Sequence, residues 1–215
     1  MRRAAFGALA VAAVLAGTAF AAQGDPQKKI TKAGQARARA ASLTLADVGR
    51  GWKSEPANKK ESNPRCSTYN PDQSDLVEIG DYDSPEFSRS DGTLISSTTG
   101  VFKTAAMART AYARVAVPAL PRCFAEIFKK AITKPSSATI FSAGPLTFPK
   151  YGDRSNAYRI TSSVKTPSGR ARATIDLVVF NRGQVDVAII FVAINQALPA
   201  RLEQSLVAKV AARAR

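Results

Sequence analysis

Chemistry needs reactive side chains, and the first fact about this chain is which ones it lacks. It has no histidine. That removes the commonest general base and metal ligand, and with it any Ser–His–Asp or Cys–His arrangement. Two cysteines remain, Cys66 and Cys123. A thiol pair alone is a poor zinc site, because four-coordinate sites add histidine or further cysteine. An even count in an exported chain favours a disulfide instead, with free buried thiols as the alternative. Bridging Cys66 to Cys123 would close a loop of about 57 residues, worth about 4 kcal/mol in the chain-entropy account.

Carboxylates offer the other route to chemistry. Asp72, Asp75, Glu78, Asp81, Asp83, Glu86 and Asp91 crowd into one segment, with only Arg89 opposing them. Paired carboxylates can hydrolyse glycosides, and clustered oxygens can hold calcium. No ligand spacing supports either reading, and the plain alternative is a solvated acidic loop complementing a basic surface. Phosphate-binding loops, dinucleotide fingerprints and EF-hand loops are absent. The sequence therefore implies no catalytic residue, no cofactor and no metal site.

The elements that must carry these residues are legible in outline. Met1-Arg2-Arg3 followed by the uncharged run Ala4 to Phe20, with Ala19 and Ala21 as small residues at a cleavage site, reads as a secretory signal over residues 1–21. Thr18 stands where a lipidated cysteine would be, so the expected product is released to the outside or to the cell envelope. Residues 22–41 read as a basic tether, partly disordered or helical, its first half loosened by Gly34. Residues 42–215 read as a single α+β domain. Leu43, Leu45 and Val48 serve as apolar anchors, and Trp52, the lone indole, as a core residue. Prolines 56, 64, 71 and 85 predict loops with short strands through the acidic segment. Leu94 to Lys103 predicts a strand. Thr104 then caps a helix to about Val117, and "RCFAEIFKKAI" forms a second, with Cys123, Phe124, Ile127 and Phe128 inward.

The last third alternates with period two. "ATIFSAGPLTF" and "AYRITSSVKT" predict strands. "RARATIDLVVFNR" and "QVDVAIIFVAI" predict a central hairpin turning at Asn181-Arg182-Gly183. Val178, Phe180, Ile189, Phe191 and Val192 belong to runs apolar on both faces, which places them in strands covered from both sides. A closing helix after Pro199 presents Leu202, Leu206 and Val210. Strands following helices, with hairpins, predict a twisted antiparallel sheet with helices packed on its faces.

The stretch Leu43-x-Leu45-x-Asp47-x-x-x-Gly51-Trp52 resembles the entry motif of exported actinobacterial proteins. These proteins are similar to the extracellular sensor domains of mycobacterial serine/threonine kinases. Cys66, Phe102, Ala108, Pro121 and Cys123 continue the pattern, while Thr99 stands where it has valine. The resemblance implies a PsbP-like α/β/α sandwich and ligand sensing in a cleft. The sensor domain has two disulfides, and this chain can form only one.

The formal charge is +15, and removing the signal takes Arg2 and Arg3 with it. A basic exported surface can meet anionic lipid or anionic polymer of the envelope, and binds nucleic acid only by general counterion release. The expected function is a secreted, non-enzymatic binding or sensor-type protein that holds a small or apolar ligand, or an envelope component, in a cleft. One alternative is a basic interaction protein for an anionic envelope partner. The other is a hydrolase with a carboxylate site.

Overall fold

The computed structural model describes residues 24–57, 66, 69–132, 139–166 and 169–215, without the side chains of 129–132 and 165–166. The expected signal segment 1–21 lies outside the described residues. In chain order the elements are β1 (Gln27–Lys28), α1 (Lys32–Ala40), α2 (Leu45–Val48), β2 (Lys53–Glu55), β3 (Val77–Asp83), β4 (Glu86–Ser88) and β5 (Leu94–Phe102). They continue with α3 (Ala105–Val115), α4 (Leu120–Ile132), β6 (Thr139–Pro145), β7 (Arg154–Thr166), β8 (Gly169–Arg182), β9 (Val185–Ile194) and α5 (Ala200–Arg213).

The strands form one sheet in the order β1-β3-β5-β9-β8-β7-β6, with β2 and β4 as a side ribbon on β5. Every pairing is antiparallel except β1 with β3. β8 and β9 lie at the centre, as their apolar runs require. Inward residues alternate between two cores. Val178, Phe180, Ile189 and Phe191 pack beneath α1, α2 and α5. Ile175, Leu177, Val179, Ile190 and Val192 pack beneath α3 and α4. The result is the expected α+β sandwich, helices on both faces of a twisted antiparallel sheet.

The segment expected as a basic tether is, from Gln27 onward, part of this fold. β1 pairs with β3, and Thr31 caps α1 through its side-chain oxygen, which accepts from the Gly34 amide. Gly34 does not loosen the helix. Its backbone lies against that of β3, where a Cβ would meet the Ile79 carbonyl oxygen at 2.1 Å, and a Cβ on Gly80 would meet Gly34 at 2.2 Å. Two glycines allow a helix and a strand to approach closer than any side chain permits.

The motif from Leu43 to Trp52 now has a structural meaning. Thr44 and Asp47 form a capping box on α2. Asp47 pairs with Arg213 at 2.7 Å, clasping α2 to the end of α5. Ser42 Oγ donates to the Ala38 carbonyl and lies 2.7 Å from Thr99 Oγ1, and the Leu43 amide donates to Ser97 Oγ. The threonine that departs from the family pattern is therefore a hydroxyl partner for Ser42. Two apolar anchors differ from expectation. Leu45 is 45 % exposed, because the four-residue α2 turns only Val48 inward. Trp52 is half-buried against the core, with the Arg89 guanidinium 5.1 Å above its ring.

Candidate cleft between the α4 layer and the sheet

α3 ends at Val115, and Pro118 keeps the chain from continuing in the same direction. α4 restarts at Leu120 with Pro121 in its first turn, where the missing amide costs no helical hydrogen bond. This corner stands off the sheet edge. Between it and the strands lies a cleft of about 610 Å³, lined by Pro118, Ala119, Pro121, Arg122 and Glu126 on the helix side. Ala143, Gly144 and Pro145 of β6 and Tyr158 of β7 form the sheet side. Its walls are mostly proline, alanine and glycine, so the cleft is apolar with three polar groups at its borders.

Those three groups differ in kind. Arg122 is exposed and Glu126 half-buried one helical turn further along. Glu126 Oε2 accepts from the Cys66 thiol at 3.5 Å. Tyr158 is buried, and its hydroxyl accepts from the Asn156 amide at 3.2 Å. Asn156 in turn accepts from the Tyr112 hydroxyl of α3 at 2.7 Å. Burial pushes both phenols above their ordinary range, so both stay neutral. The chain of bonds runs from α3 through Asn156 to Tyr158 and leaves the Tyr158 proton without an acceptor among the described residues. The cleft thus combines apolar walls with a buried neutral tyrosine on the sheet side and two ionisable residues, Arg122 and Glu126, on the α4 side.

Cys66 and Cys123 are both buried and share one small cluster with Ile127 and Tyr69, beside the Glu126 wall. The fold brings the expected pair into the same cluster. No disulfide at bonding distance is found among the described residues.

The acidic segment does not converge. Asp75 pairs with Arg114 of α3. Glu78 and Asp81 share Lys28 of β1. Asp83 accepts from Thr98 at 2.8 Å. Glu86 is buried in β4, and loss of water pushes it up to about 7. Asp91 is held down near 2 by hydrogen bonds from Arg89 and Thr93, against the opposing effect of burial. The segment, expected as loops with short strands, contains the strands β3 and β4, and none of its acids lines the cleft. Among the described residues no group of three potential ligands is placed to hold a metal ion.

A different carboxyl pair is present that no sequence motif announces. Asp176 of β8 and Glu203 of α5 are each 1 % exposed. Arg159 of β7 makes a two-pronged contact with Asp176, its Nε at 2.6 Å. Burial beside Asp176 raises Glu203 far above the ordinary carboxyl range, so it is a neutral acid that donates to Asp176. The pair is enclosed beneath α5, and neither residue lines the cleft.

Fold and cleft together define the class: an α+β sandwich with an apolar, hydroxyl-bearing cleft where one helical layer parts from the sheet. No family model and no curated protein matches the sequence. Among solved structures, the extracellular domain of PknH from Mycobacterium tuberculosis is similar at 12% identity, over 82% of this chain and 95% of that one, with a TM-score of 0.43. LpqN, involved in cell envelope biogenesis of Mycobacterium tuberculosis, is similar at 10% identity over 76% of each chain, with a TM-score of 0.32. The first is the kind of domain that the motif from Leu43 to Trp52 resembles. No helix among the described residues is long and apolar enough to cross a membrane.

Proposed function

We propose that this is a secreted, non-enzymatic binding or sensor-type protein that holds a small, largely apolar ligand in the cleft between α4 and β6–β7. The cleft itself supports the reading most. Ligand sites are typically apolar concavities of about 300–1,000 Å³ with a few convergent polar groups, and this one has proline and alanine walls with Arg122, Glu126 and Tyr158 among its lining residues. A carboxylate hydrolase would need its acids in a cavity, and those of the segment from Asp72 to Asp91 line neither this cleft nor the groove on α1.

The test fills the cleft from its floor. Ala143 lies on the α4 side of β6, opposite Ile160 in the register. Ala143→Phe places a ring in the cleft without touching the central strands. The uncharged fluorescent probe N-phenyl-1-naphthylamine should bind the parent protein saturably, with an affinity indifferent to salt. The variant should melt within a few degrees of the parent and lose the probe. Equal binding by parent and variant, or no saturable binding by the parent, would remove the cleft as the site.

A further inference from the structure

The helical layer on the opposite face of the sheet carries a second surface. Three large apolar side chains are well exposed among the described residues: Ile30 (46 %), Leu45 (45 %) and Phe141 (60 %). Two of them belong to this one layer. Ile30 stands at the entry to α1, and Leu45 opens α2. A groove of about 510 Å³ runs along the outer side of α1, lined by Ile30, Thr31, Lys32, Gln35, Ala36 and Arg39. Lysine or arginine borders it at both ends, and Ile30 and Ala36 give it an apolar strip.

On the helices of this layer the exposed charge is of one sign, while on β3 beside α1 Asp81 is paired with Lys28. Lys29, Lys32, Arg39, Arg50, Lys209 and Arg215 are all exposed. The helices of this layer contain two acids, Asp47 and Glu203. Asp47 is tied to Arg213 and Glu203 is buried, so neither offsets the exposed cations. Lys32 has a further peculiarity. It begins α1, a helix with no acid in its first turn, where a positive charge opposes the helix dipole. Helix stability therefore does not account for it.

We propose that the α1–α2–α5 layer is a docking face for an anionic lipid bilayer. Lysine and arginine pair with headgroup phosphates, and Ile30 and Leu45 enter the acyl boundary beside them. Charge complementarity alone would fit any polyanion. The two exposed aliphatic side chains choose the lipid, because a hydrophilic polymer gives them no favourable contact, whereas a bilayer interface rewards both groups together. This surface is separate from the cleft, since the sheet and both cores lie between them.

The test uses the full mature protein and vesicles of phosphatidylglycerol with phosphatidylcholine, against vesicles of phosphatidylcholine alone, in a sedimentation assay. Binding should require phosphatidylglycerol and weaken with added salt. Lys29→Ala and Lys32→Ala should each lower partitioning about fivefold. Ile30→Ser with Leu45→Ser should lower it about tenfold or more while leaving binding to dextran sulfate unchanged. Circular dichroism melts check that each variant is folded, and the two lysine variants, altered only at exposed side chains, keep the test decisive if the serine pair is unstable. Absence of binding to phosphatidylglycerol vesicles overturns the proposal. So does full vesicle binding by the lysine variants. A serine pair that binds vesicles as well as the parent would show the face to be a general polyanion surface, which also overturns it.

Discussion

Replacing Glu203 by glutamine should stabilise this protein at neutral pH, by an amount that depends on pH in a set way. Glu203 is 1 % exposed beneath α5, beside an aspartate that already holds its arginine. In the unfolded chain it titrates near its ordinary 4.5; in the folded protein its value is raised to about 9. A raised folded value means that the stabilising contribution is complete below the unfolded value and is lost as pH climbs toward the folded one. Between these limits each pH unit removes about 1.4 kcal/mol. By pH 7 this loss has set in, against a total stability of only about 5–15 kcal/mol. Glutamine has nearly the same shape, still donates to Asp176, and does not titrate.

Urea unfolding of both proteins across the pH range measures the difference directly. Glu78, Glu86 and Asp186 are also raised, to about 7, 7 and 8. They tilt both curves alike and cancel in the difference. The two proteins should be close to equal in stability near pH 4.5, and the glutamine variant should gain steadily above it, levelling off near pH 9. A difference that stays constant with pH would refute the reasoning, because it would mean that Glu203 titrates alike in both states.

Gly80→Ala should destabilise the protein by about 1–3 kcal/mol in urea melts, since its methyl would meet the α1 backbone; Gly183→Ala, with nothing near its Cβ, tests strain at a positive φ alone. Cys66 and Cys123 should be bridged in exported protein, seen as no alkylatable thiol without reduction in an intact-mass measurement; two modified thiols would exclude the bridge. Trp52→Ala should cost less than the roughly 3–5 kcal/mol of a full core truncation, because the ring is only half-buried, and its emission should respond to Arg89→Ala through the stacked guanidinium. Val192→Asp should prevent folding, since Val192 is 2 % exposed in the central strand pairing.

What the sequence made legible follows from periodicity. β8 and β9 are apolar on both faces, and they lie at the sheet centre with helices on either side. Leu206 and Val210 are on the buried stripe of α5, as their spacing requires. The same periodicities carried a signal that was easy to pass over. Glu203 falls on that stripe, and Asp176 is an acid within the apolar run Ile175 to Phe180 of β8; an acid on each of two buried faces points to a contact between them. The meeting of Gly34 with Gly80 carried no such signal, because a close approach between residues far apart in the chain leaves no local pattern. Nor did the cleft. Pro118 and Pro121 were legible as an interruption between two helices, but the space left by that interruption depends on where β6 runs, which is a property of the sheet.

The fate of the basic side chains distinguishes composition from function. Several arginines are engaged with the fold. Arg213 donates to the Ala40 and Ser42 carbonyls at the end of α1, and Arg182, at the hairpin turn, donates to the Ala211 carbonyl at the end of α5. Arg37 reaches Gln184 and the Arg215 carbonyl. Each places positive charge at a helix C-terminus, where the dipole welcomes it. Other exposed cations lie across the rest of the surface, among them Lys103, Arg109, Arg122, Arg170 and Arg172. What sets the α1 end apart is that Lys29 and Lys32 stand next to an exposed isoleucine, Lys32 at the helix end where its charge is unfavourable, while the cleft on the other face has a single arginine at its border. The two faces therefore call for opposite responses to ionic strength: a cleft ligand held by apolar walls should stay bound as salt rises, and a bilayer held by phosphates should be released.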